Sequence, residues 1–208
     1  MIWRALFGNV GDTYTTENND AFKQSLSPAA VILYSAKAPN VMQRLIQFFT
    51  GSKYFHVSIY VSMTYAALIR KMYPELLNNP LIPKEPQYNE IIEAHIDCGV
   101  SVSTLELNDN IQLTSYIRPL TQMETVEILQ RAYTQVGKKY DTLEAVSNAG
   151  FPLPNDPNKP VCSDLVTYAW LPIERIVGPK IDVNRTTPAD NVNYLEKALQ
   201  WVRSTYNS

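Results

Sequence analysis

Histidine and cysteine are scarce in this sequence, with two residues of each among 208. The two cysteines, Cys98 and Cys162, allow at most one disulfide, which excludes a small fold held together by a disulfide framework. No apolar run approaches the roughly 18 residues of a membrane-spanning helix. The N-terminus turns polar by residue 11 and lacks a complete signal-peptide pattern. We therefore expect reduced cysteines, no transmembrane segment and synthesis in the cytoplasm, and a phage component or a secreted effector would share these features.

An excess of either charge is also lacking. The chain has 18 Lys and Arg residues against 20 Asp and Glu residues, for a net charge of −2. Surfaces that bind nucleic acid or phosphate groups are normally strongly basic, so this balance argues against such partners. Hydrophobic residues make up 45% and charged residues 18% of the chain, as in globular proteins that bury a sizeable core. We expect neither a nucleic-acid partner nor a bound cofactor, and the oligomeric state stays open.

Alternating apolar and polar residues predict several strands. The segment "HVSIYV" at 56–61 alternates strictly, with Val57, Ile59 and Val61 on one face and His56 on the other, and "EIIEAHI" at 90–96 repeats the pattern. A short apolar segment at 29–34 reads as a buried strand, and two further strands are predicted at 99–107 and 114–120.

Helical spacing and helix-start signals predict the remaining elements. Thr121 and Glu124 form a capping box at the start of a helix that ends near Gly137. Other helices are predicted at 39–51, from Pro160 into the apolar run after Cys162, and at 186–202. Helical spacing places Met123 on the apolar face of the helix that begins at Thr121, and Val202 on the apolar face of the last helix. Together the elements predict an α+β fold with a mostly antiparallel sheet.

No internal repeat or low-complexity linker divides the chain, which favours a single domain. We interpret residues 1–28 as an N-terminal arm or loop and residues 29–208 as the folded domain. The long stretch at 62–89 separates two predicted strands and ends rich in proline. Loops of this length are uncommon inside compact domains, so we expect this stretch to be an insertion that helps to shape a cleft.

Cys162 is the candidate nucleophile. Pro160 places it in the first turn of a predicted helix, where unpaired backbone N–H groups and the positive end of the helix dipole favour the thiolate. Such positions lower the pKa of a thiol, and the same N–H groups can stabilise an oxyanion. The alternative for this segment alone is a small, packed thiol in the core.

His56 and Glu93 are the candidate base and orienting group. His56 lies on the polar side of its strand, and Glu93 lies in the middle of an otherwise apolar one. A carboxylate in that setting has to be paired or solvated, because burying it alone is costly. If the two strands are neighbours, Glu93 fixes the tautomer of His56 and the imidazole can activate a thiol.

Four segments, taken in order, resemble a known family. "YFHVSIYV", "IIEAHIDCGV", "VGKKYD" and "VCSDLVTYAW" are similar to segments of the permuted papain-like cysteine hydrolases, the branch of the NlpC-type superfamily that includes the bacterial YiiX-like and YaeF-like proteins. In that branch the histidine strand precedes the cysteine helix, as it does here. The resemblance covers roughly residues 29–200.

The resemblance implies a circularly permuted papain-like fold and a set of roles. Cys162 would be the nucleophile, His56 the base and Glu93 the orienting residue, while Tyr140 and Ser163 would serve the oxyanion or substrate site. For Tyr140, a simple packing role is the alternative. The implied substrates are peptides of the peptidoglycan type or lipid-linked acyl groups. Hydrolysis and acyl transfer both remain open, because they differ only in the acceptor.

Three features leave alternatives open. In the family the histidine strand is often joined to the next by a short turn, whereas residues 62–89 are long. His95 lies on the same strand face as Glu93 and is an alternative for the base or the orienting role, behind His56, because it lies on the strand where the family has its orienting residue. An inactive binding module would keep the same fold.

A zinc site is a further alternative. His95 and Cys98 have H-x-x-C spacing, and His56 with Cys162 would complete a Cys2His2 set. Structural zinc sites usually bring two close ligand pairs, and here only one pair is close, so we expect no metal.

Overall fold

A computed structural model describes most of the predicted domain. The described residues are 22–24, 26–50, 52–107, 110–117, 119–141, 159–172, 187, 190–191 and 202–206. Most of the predicted arm at 1–28 therefore lies outside the described residues, and so does most of the helix predicted at 186–202.

The centre of the fold is a sheet of six strands in the order β4-β3-β2-β1-β5-β6. Every neighbouring pair is antiparallel. The strands are β1 (Val31–Ala36), β2 (Tyr54–Tyr60), β3 (Glu90–His95), β4 (Gly99–Thr104), β5 (Ile111–Ile117) and β6 (Val202–Tyr206). The predicted α+β class with an antiparallel sheet is confirmed.

Helices cover the sheet and connect its strands. They are α1 (Val41–Thr50), α2 (Met63–Met72), a 3-10 helix (Pro74–Asn78), α3 (Gln122–Thr134) and α4 (Cys162–Trp170). The predicted capping box of α3 is present, since Thr121 Oγ1 accepts from the Glu124 N–H and the Glu124 carboxylate accepts from the Thr121 N–H.

Two sequence expectations about helix faces are wrong. Met123 is 79% exposed, because it lies in the first turn of α3 and the buried face of that helix begins with Thr125 and Val126. Val202 begins β6 and pairs with Ile117 of β5, so strand pairing takes precedence over its helical spacing. The start of the last predicted helix is present, since Thr187 Oγ1 accepts from the Asp190 N–H.

Both faces of the sheet are buried. On one face, the helix-side core joins strand residues to α3 and α4, and includes Val57, Ile59, Ile92, Leu129 and Leu165. The other face carries a second core that includes Ile32, Tyr34, Phe55, Ile91 and Leu113. Every residue of β2 is buried, so the polar face expected for this strand does not face solvent.

Residues 62–89 are a packed part of the domain. Ala66 and Ile69 of α2, together with Ile82, belong to the helix-side core. Arg70 Nη2 lies 2.9 Å from Glu90 Oε2, and their side chains are 5% and 0% exposed. The Arg70 guanidinium also donates to Tyr133 Oη of α3 at 3.2 Å, so the segment is tied to both the sheet and a helix.

Candidate active site

The histidine strand contains an irregularity beside the candidate base. Tyr34 pairs with His56, whereas Ser35 pairs with Tyr54, so the register of β1 and β2 shifts by one residue at Phe55. Such a β-bulge turns the following side chain and is frequent next to active sites. The ring of His56 lies beside the ring of Tyr34, with 5.0 Å between the centroids and 55° between the ring planes.

His56, Glu93 and His95 form one buried group, which we call the His–Glu–His cluster. His56 Nε2 lies 2.9 Å from Glu93 Oε2, and His95 Nε2 lies 3.0 Å from the same oxygen. The two ring centroids are 4.9 Å apart. Ser103 Oγ of β4 donates to the other carboxylate oxygen of Glu93. One carboxylate thus holds two imidazoles and is itself held by a hydroxyl.

The register of three strands produces this arrangement. Ser58 of β2 pairs with Glu93 of β3, which brings His56 opposite His95 two residues further along. Glu93 in turn pairs with Ser101 of β4, and Ser103 follows two residues later on the same face. The strand pairing expected for His56 and Glu93 is therefore present, and their catalytic roles stay a prediction.

The electrostatics of the cluster define which group carries a proton. Burial tends to raise the pKa of Glu93, but the hydrogen bonds and charges of the two histidines outweigh it and hold that pKa well below its ordinary value. For His56, burial lowers the pKa and dominates over the opposite effect of Glu93. At neutral pH the carboxylate is ionised and the His56 ring is neutral.

The hydrogen bond to Glu93 then determines the tautomer of His56. An ionised carboxylate only accepts, so the proton of the neutral ring lies on Nε2, the atom that bonds to Glu93. Nδ1 is left as the basic nitrogen. This is the protonation state in which an imidazole can act as a general base.

Two residues that the sequence analysis did not single out complete the surroundings of His56. Tyr34 Oη and Ser58 Oγ are 2.9 Å apart beside the cluster. Burial, and then the negative charge of Glu93, raise the pKa of Tyr34 well above its ordinary value. The serines of "GVSVST" alternate along β4, and this alternation was the available signal that one of them would meet Glu93.

Cys162 is the first residue of α4 and is buried in the helix-side core. Burial raises the pKa of its thiol to about 12, and the negative charge of Asp164 acts in the same direction. The backbone of Val57 and the N-terminal backbone of α4 act to lower it, with smaller effect. The helix start therefore acts on this pKa in the expected direction, but desolvation outweighs it, and the net pKa is raised instead of lowered.

Cys162 and His56 approach β2 from opposite faces. The thiol lies in the core that contains Val57, whereas the ring of His56 lies with Tyr34 in the other direction. The two meet only at the strand backbone, where Val57 contacts the thiol and follows His56 directly. Within the part of the chain that the structure describes, no hydrogen bond joins the sulfur to the ring.

The remaining predicted site residues lie near α4 or its approach. Ser163 is buried in the first turn, and its carbonyl accepts from Thr167 Oγ1 at 2.9 Å. Asp164 accepts from the Val161 N–H at 3.3 Å and so contributes to the helix start. Tyr140 is partly buried and packs against the helix-side core, as its packing alternative expects. Roles for Tyr140 and Ser163 in an oxyanion site stay predictions.

The Cys2His2 zinc alternative does not match the geometry. Among the described residues, one group of His, Cys, Asp or Glu side chains has ligand atoms that all lie within 4.8 Å of one another, and it consists of His56, Glu93 and His95. Neither cysteine belongs to it. Both cysteines are free thiols, as expected, with Cys98 exposed and Cys162 buried.

Comparisons with known proteins add no family. The chain matches no protein-family model, and it matches no curated protein sequence. Among the described residues, no helix has both the length and the apolar character needed to cross a membrane.

Proposed function

We propose that the chain is a cysteine hydrolase that cleaves an amide or ester bond through Cys162, His56 and Glu93, on a circularly permuted papain-like fold. The observation that carries the proposal is the 2.9 Å hydrogen bond between His56 Nε2 and Glu93 Oε2. It leaves a neutral imidazole with Nδ1 as its basic atom. The position of Cys162 at the first residue of a helix that packs on the same strand adds to this support.

The proposed reaction proceeds through a thioester. His56 Nδ1 takes the proton of the Cys162 thiol as the sulfur attacks the substrate carbonyl, and Glu93 stabilises the imidazolium. Backbone N–H groups at the start of α4 stabilise the oxyanion. The imidazolium then protonates the leaving amine or alcohol, the C–S bond remains as a thioester, and water hydrolyses it with His56 again as base.

In the free protein, neither the protonation state of Cys162 nor the position of His56 is yet the one that this mechanism needs. A thiol whose pKa is raised to about 12 is protonated at neutral pH, so the nucleophile forms only during attack. The imidazole also has to turn towards the sulfur past the backbone at Val57. This movement requires a local rearrangement of β2 when substrate binds, and the β-bulge at Phe55 lies next to this point.

The proposed substrates are peptide amides, including those of the peptidoglycan type, or esters of lipid-linked acyl groups. An acyltransferase would form the same thioester and pass the acyl group to an acceptor other than water. The second candidate function is an inactive binding module. The burial and high pKa of the Cys162 thiol favour it, because a reactive thiol is normally accessible and has a low pKa.

An acylation experiment separates the proposed thiol chemistry from an inactive binding module. The full chain is incubated with p-nitrophenyl acetate and a short peptide ester, and the protein is digested and analysed by mass spectrometry for an acetyl or acyl group on cysteine. We expect the acyl group on Cys162 and turnover that falls to the buffer rate in Cys162→Ala. Cys98→Ala, which removes the exposed thiol, is the matched control and should leave turnover unchanged. Acylation confined to Cys98, or turnover that persists in Cys162→Ala, would show that Cys162 is not the nucleophile.

A further inference from the structure

The His–Glu–His cluster contains more than a catalytic pair needs. A base and an orienting carboxylate require one imidazole, yet His95 Nε2 lies 3.0 Å from the carboxylate oxygen that already holds His56. Both histidines of the chain are therefore in this group, and both direct Nε2 at the same atom. The placement follows from the antiparallel register of β2 and β3, so it belongs to the fold and not to side-chain chance.

We propose that His56, Glu93 and His95 bind a divalent transition-metal ion of the zinc type. Two imidazole nitrogens and one carboxylate oxygen are a donor set that zinc takes in catalytic sites, where a fourth position stays open to water or another ligand. All the ligand atoms lie within 4.8 Å of one another. This site differs from the Cys2His2 set considered above and uses neither cysteine.

Two of the three distances between ligand atoms suit a tetrahedral ion. Zinc bonds of about 2.0–2.2 Å to nitrogen and oxygen place neighbouring ligand atoms roughly 3.3 Å apart. The two observed nitrogen-to-oxygen distances are 2.9 and 3.0 Å, so these atoms would separate by a few tenths of an ångström around an ion. Rotamer adjustments of this size do not require the strands to move.

The surroundings support Glu93 as a ligand. Ser103 Oγ donates to Oε1, which holds the carboxylate in place and leaves Oε2 directed at the two rings. Ligating carboxylates normally have such a hydrogen-bond partner, and its removal lowers metal affinity. The carboxylate is buried, and a bound cation would compensate for a negative charge there more fully than two imidazole N–H groups do.

Metal binding would change the tautomer of His56 without changing the charge of its ring. In the metal-free cluster His56 Nε2 carries the proton that it donates to Glu93. A ring that binds metal through Nε2 carries its proton on Nδ1 instead. The basic Nδ1 of His56 is then lost, so a bound zinc ion would inhibit the thiol chemistry. This inhibition rests on the proposed function, whereas the metal site does not.

The test measures bound metal directly in the full-length Cys162→Ala variant. This substitution removes the buried thiol as a competing metal ligand and, under the proposed function, abolishes catalysis. Purified protein is dialysed against chelator, then equilibrated with Zn²⁺ for metal analysis and with Co²⁺ for visible absorption. We expect one ion per chain and the intense absorption of a four- or five-coordinate Co²⁺ site. Absence of stoichiometric metal, or the weak spectrum of hexa-aquo Co²⁺, would overturn the proposal.

Matched variants in the same background identify the ligands. Glu93→Gln and His95→Gln keep the side-chain size and should abolish stoichiometric binding. Ser103→Ala should weaken it by roughly 10–100-fold, as loss of a partner of a metal ligand does. Cys98→Ala, adjacent in sequence but outside the cluster, should bind as before. Unchanged binding in His95→Gln would place the ion elsewhere. If the chain binds metal at this cluster but is never acylated at Cys162, the proposed metal site stands and the proposed hydrolase function is wrong.

Discussion

At the scale of single residues, the cluster depends on the charge of Glu93. This carboxylate accepts from His56, His95 and Ser103 while it is buried. A buried ionised carboxylate is tolerated when its hydrogen bonds are made, and hydrogen bonds to charged groups are worth more than those between neutral groups. Glu93 therefore serves stability in addition to any chemistry.

Replacing Glu93 by Gln should destabilise the protein by roughly 1.5–3 kcal/mol at neutral pH, the range for a hydrogen bond to a charged group. The amide has nearly the same size, so the loss reports the charge and not a cavity. Urea unfolding followed by circular dichroism measures it. Glu106→Gln, at an exposed position, is the control and should change stability by less than about 0.5 kcal/mol.

The low pKa of Glu93 also predicts how the free energy of unfolding changes at acid pH. The pKa of Glu93 lies below its ordinary value of 4.5 in the folded chain, so its contribution is present at pH above 4.5 and is lost as the pH falls below that value. The stability difference between the native chain and Glu93→Gln should shrink as the pH is lowered from 6 towards 3. A difference that stays constant over this interval would show that the carboxylate is not paired.

In the free protein, the exposed thiol of Cys98 should react faster than the thiol of Cys162, whereas an activated catalytic cysteine would normally react first. Cys162 is buried and its pKa is raised to about 12, whereas Cys98 is exposed. In the free protein at neutral pH, iodoacetamide should therefore modify Cys98 first, and modification of Cys162 should accelerate about tenfold per pH unit as its thiolate fraction rises. Peptide mass spectrometry after timed quenching gives both rates. Faster labelling of Cys162 near pH 7 would show that the thiol is ionised and that the imidazole reaches it without substrate.

At the scale of elements, the alternation of apolar and polar residues predicted where the strands lie, but not the burial of both sheet faces or the register of the strands. The alternation of "HVSIYV" placed His56 away from Val57, and the structure has the same division. It carried no information that the second face would also be buried, because burial of that face depends on β5 and β1 residues distant in sequence. The shift of register at Phe55 was equally invisible, since both β1 and β2 look regular on their own.

The position of Cys162 relative to His56 shows a second limit. Helix-start signals located the cysteine in the first turn of α4, and the capping box of α3 was predicted to the residue. Which face of a sheet a distant helix covers depends on the connecting chain and on the whole core, not on the helix's own pattern. The likeness of four short segments therefore carried no information on the side of β2 from which the thiol approaches, and the roles that it implies stay predictions.

The ion pair between α2 and β3 allows the packing of the long segment to be tested. Arg70 and Glu90 are both buried, and Tyr133 of α3 hydrogen-bonds to both of them. Arg70→Met leaves the Glu90 carboxylate without its cation and should cost about 3–5 kcal/mol. Lys71→Met, at the exposed neighbour, should be close to neutral. Adding Glu90→Gln to Arg70→Met should recover part of the loss, which thermal or urea unfolding of the four proteins would reveal.

At the scale of the whole molecule, the question is whether residues 62–89 are a dispensable insertion or an integral part of the packed domain. Ala66, Ile69 and Ile82 lie in the helix-side core, and this core also contains the thiol of Cys162 and the strand that carries His56. The segment therefore supports the site through the core that it shares with α3 and α4. A lid would instead need few buried contacts with the domain.

Replacing residues 63–88 by a short Gly-Ser turn should therefore prevent cooperative folding, because it removes buried side chains from the core and leaves Glu90 without Arg70. Far- and near-ultraviolet circular dichroism, with a urea titration, would detect the loss. Replacing only residues 84–86 with Gly-Ser-Gly is the control, since Lys84 and Glu85 are exposed there, and it should leave the unfolding transition in place. A shortened chain that unfolds cooperatively near the native midpoint would show that the segment is dispensable. It would also show that the helix-side core holds Cys162 without it, because α4 packs against β2, β3 and α3 as well.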